Sequence, residues 1–462
     1  MLLALSQIGR VYGAETPVSD DVLLEVLPEK ALPELQVALA RAMSQSSRVI
    51  ASLLDLEQAR VGEMQARAPM LPNASASGSF GLARNRYDYS AVDNANGTTT
   101  AAYSTVGLVQ DLSYYAGISQ PVYRWGALKK GYQSAQLQRA ITARNVGEIR
   151  RALAIDIRRA YFSLIGAANG LASEKATLAN LEKEKIFLKG QAADGFITQG
   201  VADYTDTRIK DFKLQMQRTQ NNFDSMWLSF CELTGNDRAS PVPSLPKEIP
   251  AIGRDLAPIL QGLLLAPDDY VPVNLLNADD AIHVERLRYE IASTQQRPYF
   301  GVSLNASRGY HSPDAAAGFG TPYVLTSYGA SATVNWNIFD GFSTQAAKKS
   351  SSIRLRQLRT TREQAERDYH EALKNTVINL RLNWQSLQRT EEGLRSTRSY
   401  VDTVKKDFEA GYAKKQDWDT AQASADAALQ AANNARADYY LQIVNYLSMR
   451  GKDPAVALAA RK

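Results

Sequence analysis

Hydrophobic and polar positions alternate without a break from 328 to 338. Tyr328, Ala330, Ala332, Val334, Trp336 and Ile338 fall on one face, and Gly329, Ser331, Thr333, Asn335 and Asn337 on the other. A period of two predicts a β-strand with one apolar face and one wet face. The segment 299–310 repeats the scheme, with Phe300, Val302, Leu304 and Ala306 set against Gly301, Ser303, Asn305 and Ser307. A weaker version occurs earlier, through Phe80 and Leu82 and then Leu112, Tyr114, Ala116 and Ile118. Each segment has the roughly 10 residues that a tilted strand needs to cross a bilayer. Tyr87, Tyr89, Tyr103, Tyr310, Tyr323 and Tyr328 cluster near the segment ends, where the aromatic girdles of membrane barrels lie. The loops between them, at 93–102 and 312–322, are small and polar. A soluble β-sandwich shows the same alternation, but four strands are too few to build one around helices as long as those that follow.

After each strand pair the period changes to steps of four and three. The first series is Leu153, Ile157, Ala160, Leu164, Ala167, Leu171, Glu174, Leu178, Leu181, Lys185 and Leu188. The second is Leu373, Val377, Leu380, Trp384, Leu387, Glu391, Leu394, Arg398, Val401, Lys405 and Phe408. Such a narrow seam packs one or two neighbouring helices and leaves most of each helix wet. A continuous helix over 344–409 extends about 100 Å at 1.5 Å per residue. The charged residues within each seam argue against a simple zipper and suit a ring of helices around water.

The chain therefore states one plan twice. The predicted repeats are 25–235, with a β-hairpin at 74–124 and a long helical hairpin at 126–235, and 255–451, with a β-hairpin at 299–340 and a helical hairpin at 344–450. A Pro-rich linker at 236–254 joins them, a signal-like or frayed segment at 1–24 precedes them, and a tail at 452–462 follows. QPVYRWG at 120–126 closes the first strand pair and NWNIFDGF at 335–342 the second. None of the 17 prolines falls in 122–240 or 323–453, as uninterrupted helices require. Each long helix ends at a glycine, Gly195 or Gly411, and a shorter helix returns. Asp203 and Asp417 are predicted to cap the returning helices, which makes 193–207 and 409–422 helical hairpin tips.

Composition removes several function classes. The net charge of +5 is spread along helices such as RTTREQAERDYHEALK at 359–374, which predicts a solvated face and no nucleic-acid partner. No run of 18 apolar residues occurs, the nearest approach being APILQGLLLA at 257–266, so a β-barrel is the route into a bilayer. The single cysteine, Cys231, sits among Trp227, Leu228, Phe230 and Leu233 and reads as a buried, inert thiol. MLLALSQIGRVYGAET resembles the end of a secretory signal without its basic start. His283, His311 and His370 are scattered, and Lys374 stands where an HExxH motif needs its second histidine. With no phosphate loop, CxxC pair or nucleophile elbow, an enzyme is not expected, and neither cofactor nor metal site is predicted.

Taken together, the duplicated strand–strand–helix–helix order, the signatures PVYRWG and NIFDGF, and the two glycine-plus-aspartate tips resemble the TolC-family outer-membrane factors. These are the exit ducts of tripartite efflux pumps and type I secretion systems. The likeness covers roughly residues 30–450, including 35–72 and 275–298, which resemble the helices leading into the strands. It implies a mainly α fold with a transmembrane β-barrel, in which a homotrimer shares one 12-stranded barrel in outer-membrane lipid and a coiled-coil helical tunnel extends into the periplasm. The implied partners are a periplasmic adaptor protein and an inner-membrane transporter, either ABC or proton-driven.

The resemblance also implies that the tips form a gated entrance with an acidic constriction. Asp417 matches the first acidic position, Thr420 stands where a second aspartate can occur, and Asp419 lies nearby. Two extra residues separate Gly195 from Asp203, which weakens the carry-over to the first tip. Lys414 and Lys415 are expected to pair with Asp203 or Asp206 of a neighbouring tip and hold the entrance shut. The lack of a lipid-anchor cysteine near the N-terminus tilts the reading toward type I protein secretion. A multidrug efflux duct and, in another class, a soluble coiled-coil scaffold are the alternatives.

Overall fold

The computed structural model describes residues 21–89, 92–93, 99–100, 103–256, 258–259, 270–312 and 321–457. The signal-like stretch, most of 257–266, most of the two predicted loops, the residues 458–462 and the side chains of Tyr87, Tyr89 and Tyr103 lie outside the described residues. The main elements in chain order are α1 (Pro33–Gln45), α2 (Ser47–Arg67), β1 (Asn73–Tyr89), β2 (Tyr103–Tyr123), α3 (Ala127–Ala193), α4 (Gln199–Thr234), α5 (Val273–Ala292), β3 (Tyr299–Ser312), β4 (Tyr323–Asn335), α6 (Ser343–Glu409) and α7 (Lys415–Met449). They fall into two compact units, each drawing on both repeats. One comprises the described parts of Met1–Leu56, Thr142–Asn277 and Arg362–Lys462, and the other Glu57–Ile141 and Ala278–Thr361.

The first unit is helical. Its core brings together Leu35, Leu39 and Met43 of α1, Leu153, Ile157 and Leu164 of α3, Trp227 and Phe230 of α4, Leu380 and Leu387 of α6, and Ile443, Val444 and Leu447 of α7. The predicted seam is visible in which residues are buried: Leu153, Ile157, Leu164 and Leu171 in α3, and Leu373, Leu380, Leu387 and Leu394 in α6. Past Leu394 the α6 seam differs from the expectation. Arg398, Lys405 and Phe408 are exposed, whereas Val404 is buried and Val401 half-buried. The shift keeps two cationic heads in water, where their hydration is not lost. Cys231 is buried in this core, and burial pushes its thiol up from the usual range.

The Pro-rich segment is not a loose tether. Asn433 of α7 accepts from the Ile249 N–H at 3.0 Å and donates to the Lys247 carbonyl at 2.9 Å. Arg436 donates to the Ile249 carbonyl at 2.7 Å, and the Tyr439 hydroxyl accepts from the Leu256 N–H at 2.9 Å. Side chains here supply the backbone partners that a chain broken by prolines cannot find in a helix or ladder.

A buried ion cluster ties Glu29 and Asp453, far apart in sequence, to α3. Arg158, wholly buried, donates from Nε to Glu29 at 3.0 Å and from Nη1 and Nη2 to the two carboxylate oxygens of Asp453 at 2.6 and 2.9 Å. Burial alone lowers the affinity of a guanidinium for its proton, but the hydrogen bonds and charge of Asp453, with the charge of Glu29, more than reverse that.

The second unit is built on one antiparallel sheet in the order β1–β2–β3–β4. Its central pairing, β2 with β3, joins the two repeats, with Ala116 opposite Ala306 and Ile118 opposite Leu304. The first described pairs of the outer hairpins are Asn73 with Ser119 and Tyr299 with Asn335. β4 stops at Asn335, short of the alternation that predicts a strand to 338. Beyond it the Trp336 indole N–H donates to the Gln296 carbonyl at 3.0 Å, so the chain leaves the ladder at that point.

Both exits from the sheet use two successive left-handed residues: Trp125 and Gly126 (φ 52° and 77°) in one, and Gly341 and Phe342 (φ 62° and 69°) in the other. The aromatic and the glycine are in reversed order, so each exit forces one bulky residue into a conformation that costs on the order of 1–3 kcal/mol. Specific contacts hold Trp125 there. Its indole N–H donates to the Pro298 carbonyl at 2.7 Å, its ring meets Tyr123 edge-on at 5.1 Å, and the Arg297 guanidinium lies 5.1 Å from it. At the other exit Phe342 packs edge-on against Phe339 at 5.5 Å. Asp340 starts α6 by accepting the Thr344 N–H at 2.9 Å, and the Thr344 hydroxyl, which also donates to it, holds its carboxyl below the usual range.

Removing one member of a buried ion cluster costs more than removing all of it, because the remaining charges lose their partners. Arg158→Met is expected to lower stability by about 3–5 kcal/mol, read as the loss of unfolding free energy in detergent. The triple variant Arg158→Met, Glu29→Gln, Asp453→Asn is expected to recover much of that loss. Equal stability of the single variant and the parent rejects this account.

Candidate functional site: helical tips and the polar sheet face

The two tips share a backbone solution. Gly195 and Gly411 adopt φ of +79° and +80°, the left-handed conformation that ends a helix with little cost only for glycine. Chain reversal follows at once: the Phe196 N–H donates to the Gln191 carbonyl at 2.9 Å, and the Tyr412 N–H to the Asp407 carbonyl at 2.8 Å. Phe196 and Tyr412, each next to its glycine, are 78% and 89% exposed, so the tips present aromatic rings to solvent.

The acidic residues part company at this point. α7 begins after Lys414, and Asp417 sits three residues on, where its Oδ2 accepts the Lys414 N–H at 3.1 Å. It therefore closes the helix start from inside the first turn while remaining exposed. Asp203 does not cap α4. That helix begins at Gln199 behind an extended Thr198 that makes no side-chain cap, and Asp203 lies a full turn inside it. There it is exposed and accepts only a long contact, 3.4 Å, from Gln199.

Asp206 faces its own protomer. Lys185 of α3 binds one of its oxygens and Lys189 lies 3.5 Å from the other. The hydrogen bond from Lys185 holds the Asp206 carboxyl below the usual range. Because the folded value lies below the unfolded one, this pairing contributes at neutral pH and is lost as pH falls through the lowered value. Lys185 was legible as a seam residue, and its pairing required knowing that α4 packs back along α3. Asp419 is half-buried and accepts from Asn180 of α3 at 3.4 Å, whereas Thr420 is exposed with its hydroxyl bonded to the Gln416 carbonyl at 2.8 Å. Among the described residues, no cluster of His, Cys, Asp and Glu is arranged to hold a metal ion.

The sheet carries a second candidate surface. Because residues directly opposite in a ladder share a face, the register sets Phe80, Leu112, Tyr310 and Val324 together, and likewise Ala74, Ile118, Leu304 and Ala330. The apolar positions of both hairpins thus form one continuous face. The opposite face is lined with small polar residues whose hydroxyls pair across strands: Ser79 with Ser113 at 2.7 Å, Ser303 with Ser331 at 2.7 Å, and Ser307 with Ser327 at 2.8 Å. On the apolar face Phe80, Leu82, Leu304, Val334 and Tyr328 are all largely exposed in the single chain. An apolar face of this size is not left in water by a folded protein. No described helix is long and apolar enough to cross a membrane.

Comparison with known proteins agrees with this architecture. Residues 278–448 match the sequence model of the outer membrane efflux protein family. The outer membrane protein OprJ of Pseudomonas aeruginosa is 24% identical over 334 residues, covering 69% of this chain and 64% of its own length. The CmeC outer membrane channel of Campylobacter jejuni superposes with a TM-score of 0.65 at 14% identity, over 91% of this chain and 86% of CmeC. The outer membrane protein VceC of Vibrio cholerae does so with a TM-score of 0.62 at 15% identity, over 91% of this chain and 96% of VceC. The MtrE outer membrane channel of Neisseria gonorrhoeae, solved in an open state, gives 0.59 at 15% identity over 91% and 89% of the two chains. The structural likenesses establish the fold, and residues 278–448 of the second repeat add a sequence match to the outer membrane efflux protein family.

Proposed function

We propose that this chain is the outer-membrane duct of a tripartite export system, with three copies sharing one barrel. The observation that carries the reading is the four-stranded sheet. It is apolar on one face and polar on the other, and its outermost strands β1 and β4 have no further described neighbour. Lipid does not tolerate an open strand edge, because unpaired N–H and C=O groups there cost several kcal/mol each. Three copies of four strands supply 12 and close the edges on one another. The apolar face then meets lipid, the polar face lines the pore, and the repeats at 25–235 and 255–451 each contribute one strand hairpin and one helical hairpin.

A periplasmic adaptor and an inner-membrane transporter supply the drive, and the exposed Phe196 and Tyr412 favour the tips as a place for a partner to dock. Of the two cargo classes open from the sequence, the family's description supports efflux, with type I protein secretion the second reading. We assign no catalytic role to the chain.

Size measurement in detergent is expected to give a trimer, and a stable, folded, water-soluble monomer obtained without detergent sinks the proposal. The faces give a finer check. Arg at a lipid-facing midplane site costs roughly 2–4 kcal/mol, so Val334→Arg is expected to reduce outer-membrane yield more than Thr333→Arg. Equal yields reject the face assignment.

The tips form the entrance in this reading. Since Asp206 is engaged by Lys185 and Lys189 of its own chain, the exposed Asp203 is the acid open to Lys414 and Lys415 of a neighbouring copy. Three copies of Asp417 gather negative charge there. Asp417→Ala is expected to lower cation preference in single-channel recordings and to weaken the start of α7 by about 0.3–1.5 kcal/mol. The double variant Lys414→Ala, Lys415→Ala is expected to raise conductance. If selectivity is unchanged while α7 weakens, and the lysine variant conducts like the parent, then Asp417 only caps its helix and the lysines are only solvated.

A further inference from the structure

The polar face of the sheet is uncharged along nearly its whole described length. Serines, glycines, Asn305 and Thr333 dominate it, and the arginines of the described strand side chains, Arg84 and Arg308, fall on the other face by register. One row breaks the pattern: Gly81, Asp111, His311 and Tyr323 lie directly opposite one another across all four strands. In that row the His311 Nδ1 contacts the Asp111 Oδ1, and the His311 ring lies 5.3 Å from that of Tyr323. Both ionisable side chains remain open to solvent, at 36% and 54% exposure.

We propose that Asp111 and His311 together set the ion selectivity of the strand-lined part of the pore, as a ring of acid–imidazole pairs. The proposal rests on the export-duct reading, which turns the polar face toward the lumen and repeats the row three times. With a neutral imidazole each pair carries the single negative charge of Asp111. With a protonated imidazole the pair is neutral. Rings of charged side chains set which ions a pore favours, and a carboxylate facing a water-filled lumen concentrates cations.

The surroundings offer little to mask the change. The titratable groups facing His311 are Asp111 from β2 and the Tyr323 phenol from β4. On its own strand the neighbour on the same face is Gly309, and Asp314 lies outside the described residues. Histidine is the side chain whose charge changes between roughly pH 5 and pH 8. The pair is therefore a pH-dependent filter: cation-favouring when the imidazole is neutral and without preference of its own when it is charged. The tip acids lie on other elements and are the same in every variant compared below.

The test is the reversal potential in a salt gradient across planar bilayers holding the purified full-length protein, at about pH 8 and about pH 5. The parent is expected to lose cation preference on acidification. His311→Gln, which keeps a polar partner for Asp111, is expected to hold its cation preference at both values. Asp111→Asn is expected to start with less cation preference and to move toward anions on acidification, because the imidazolium is then unopposed. Parent channels whose pH response matches that of both variants overturn this inference alone. A parent that forms no ion-conducting pore in any condition overturns the export-duct reading and this inference with it.

Discussion

An antiparallel sheet of four strands leaves two rows of backbone donors and acceptors without partners, and in this chain those rows sit on strands whose side chains are apolar on one face. Water satisfies the backbone groups but not the apolar face. Lipid satisfies the apolar face but not the backbone groups. Only a further strand at each edge satisfies both, and other copies of the chain supply it most simply. The duplicated plan follows from the same constraint. β2 pairs with β3 across the two repeats, so the chain has already closed one such edge internally before any partner arrives.

The helical unit resolves a different conflict, between a narrow seam and a large number of polar groups. Several seam leucines are buried, and charged members are paired, as Lys185 is with Asp206 and Arg398, beyond Leu394, with Glu248. Two buried arginines are satisfied several times over. Arg436 donates to Glu391 at 2.6 Å as well as to the Ile249 carbonyl, and Arg158 engages two carboxylates. Such clusters stabilise little against an apolar substitute of the same shape, but they penalise any packing that separates their members. They therefore select one arrangement of the segments around Glu29 and Asp453 and of the Pro-rich segment along α3 and α7.

Much of this was legible in the sequence wherever a short-range rule decided the outcome. The strand faces follow from a period of two, so Val302, Leu304 and Ala306 were assignable without knowing their neighbours. The tip glycines follow from the cost of a left-handed turn. What was not legible depended on partners distant in sequence. Asp203 has the side chain of a cap, but the chain turns early at Gly195 and α4 starts at Gln199, which leaves the residue one turn inside. The seam beyond Leu394 shifted because the neighbouring helix, and not the local spacing, chose which residues it covered. The pairing of Asp111 with His311 required the register between strands of different repeats. The alternation of each strand fixes a face but not an opposite number.

One feature of the sheet unit bears on how the protein can vary. The Trp336 indole is bonded to the Gln296 carbonyl and the Trp125 indole to the Pro298 carbonyl, so one anchor from each repeat is set on the same three-residue stretch before β3. A connecting segment ordinarily accepts insertions and deletions with little effect. Here a single added residue between Gln296 and Pro298 would change the spacing of the two anchors. The connection before β3 is thus held at both anchors, and lineages that lengthen their surface loops freely would be expected to keep this one at constant length.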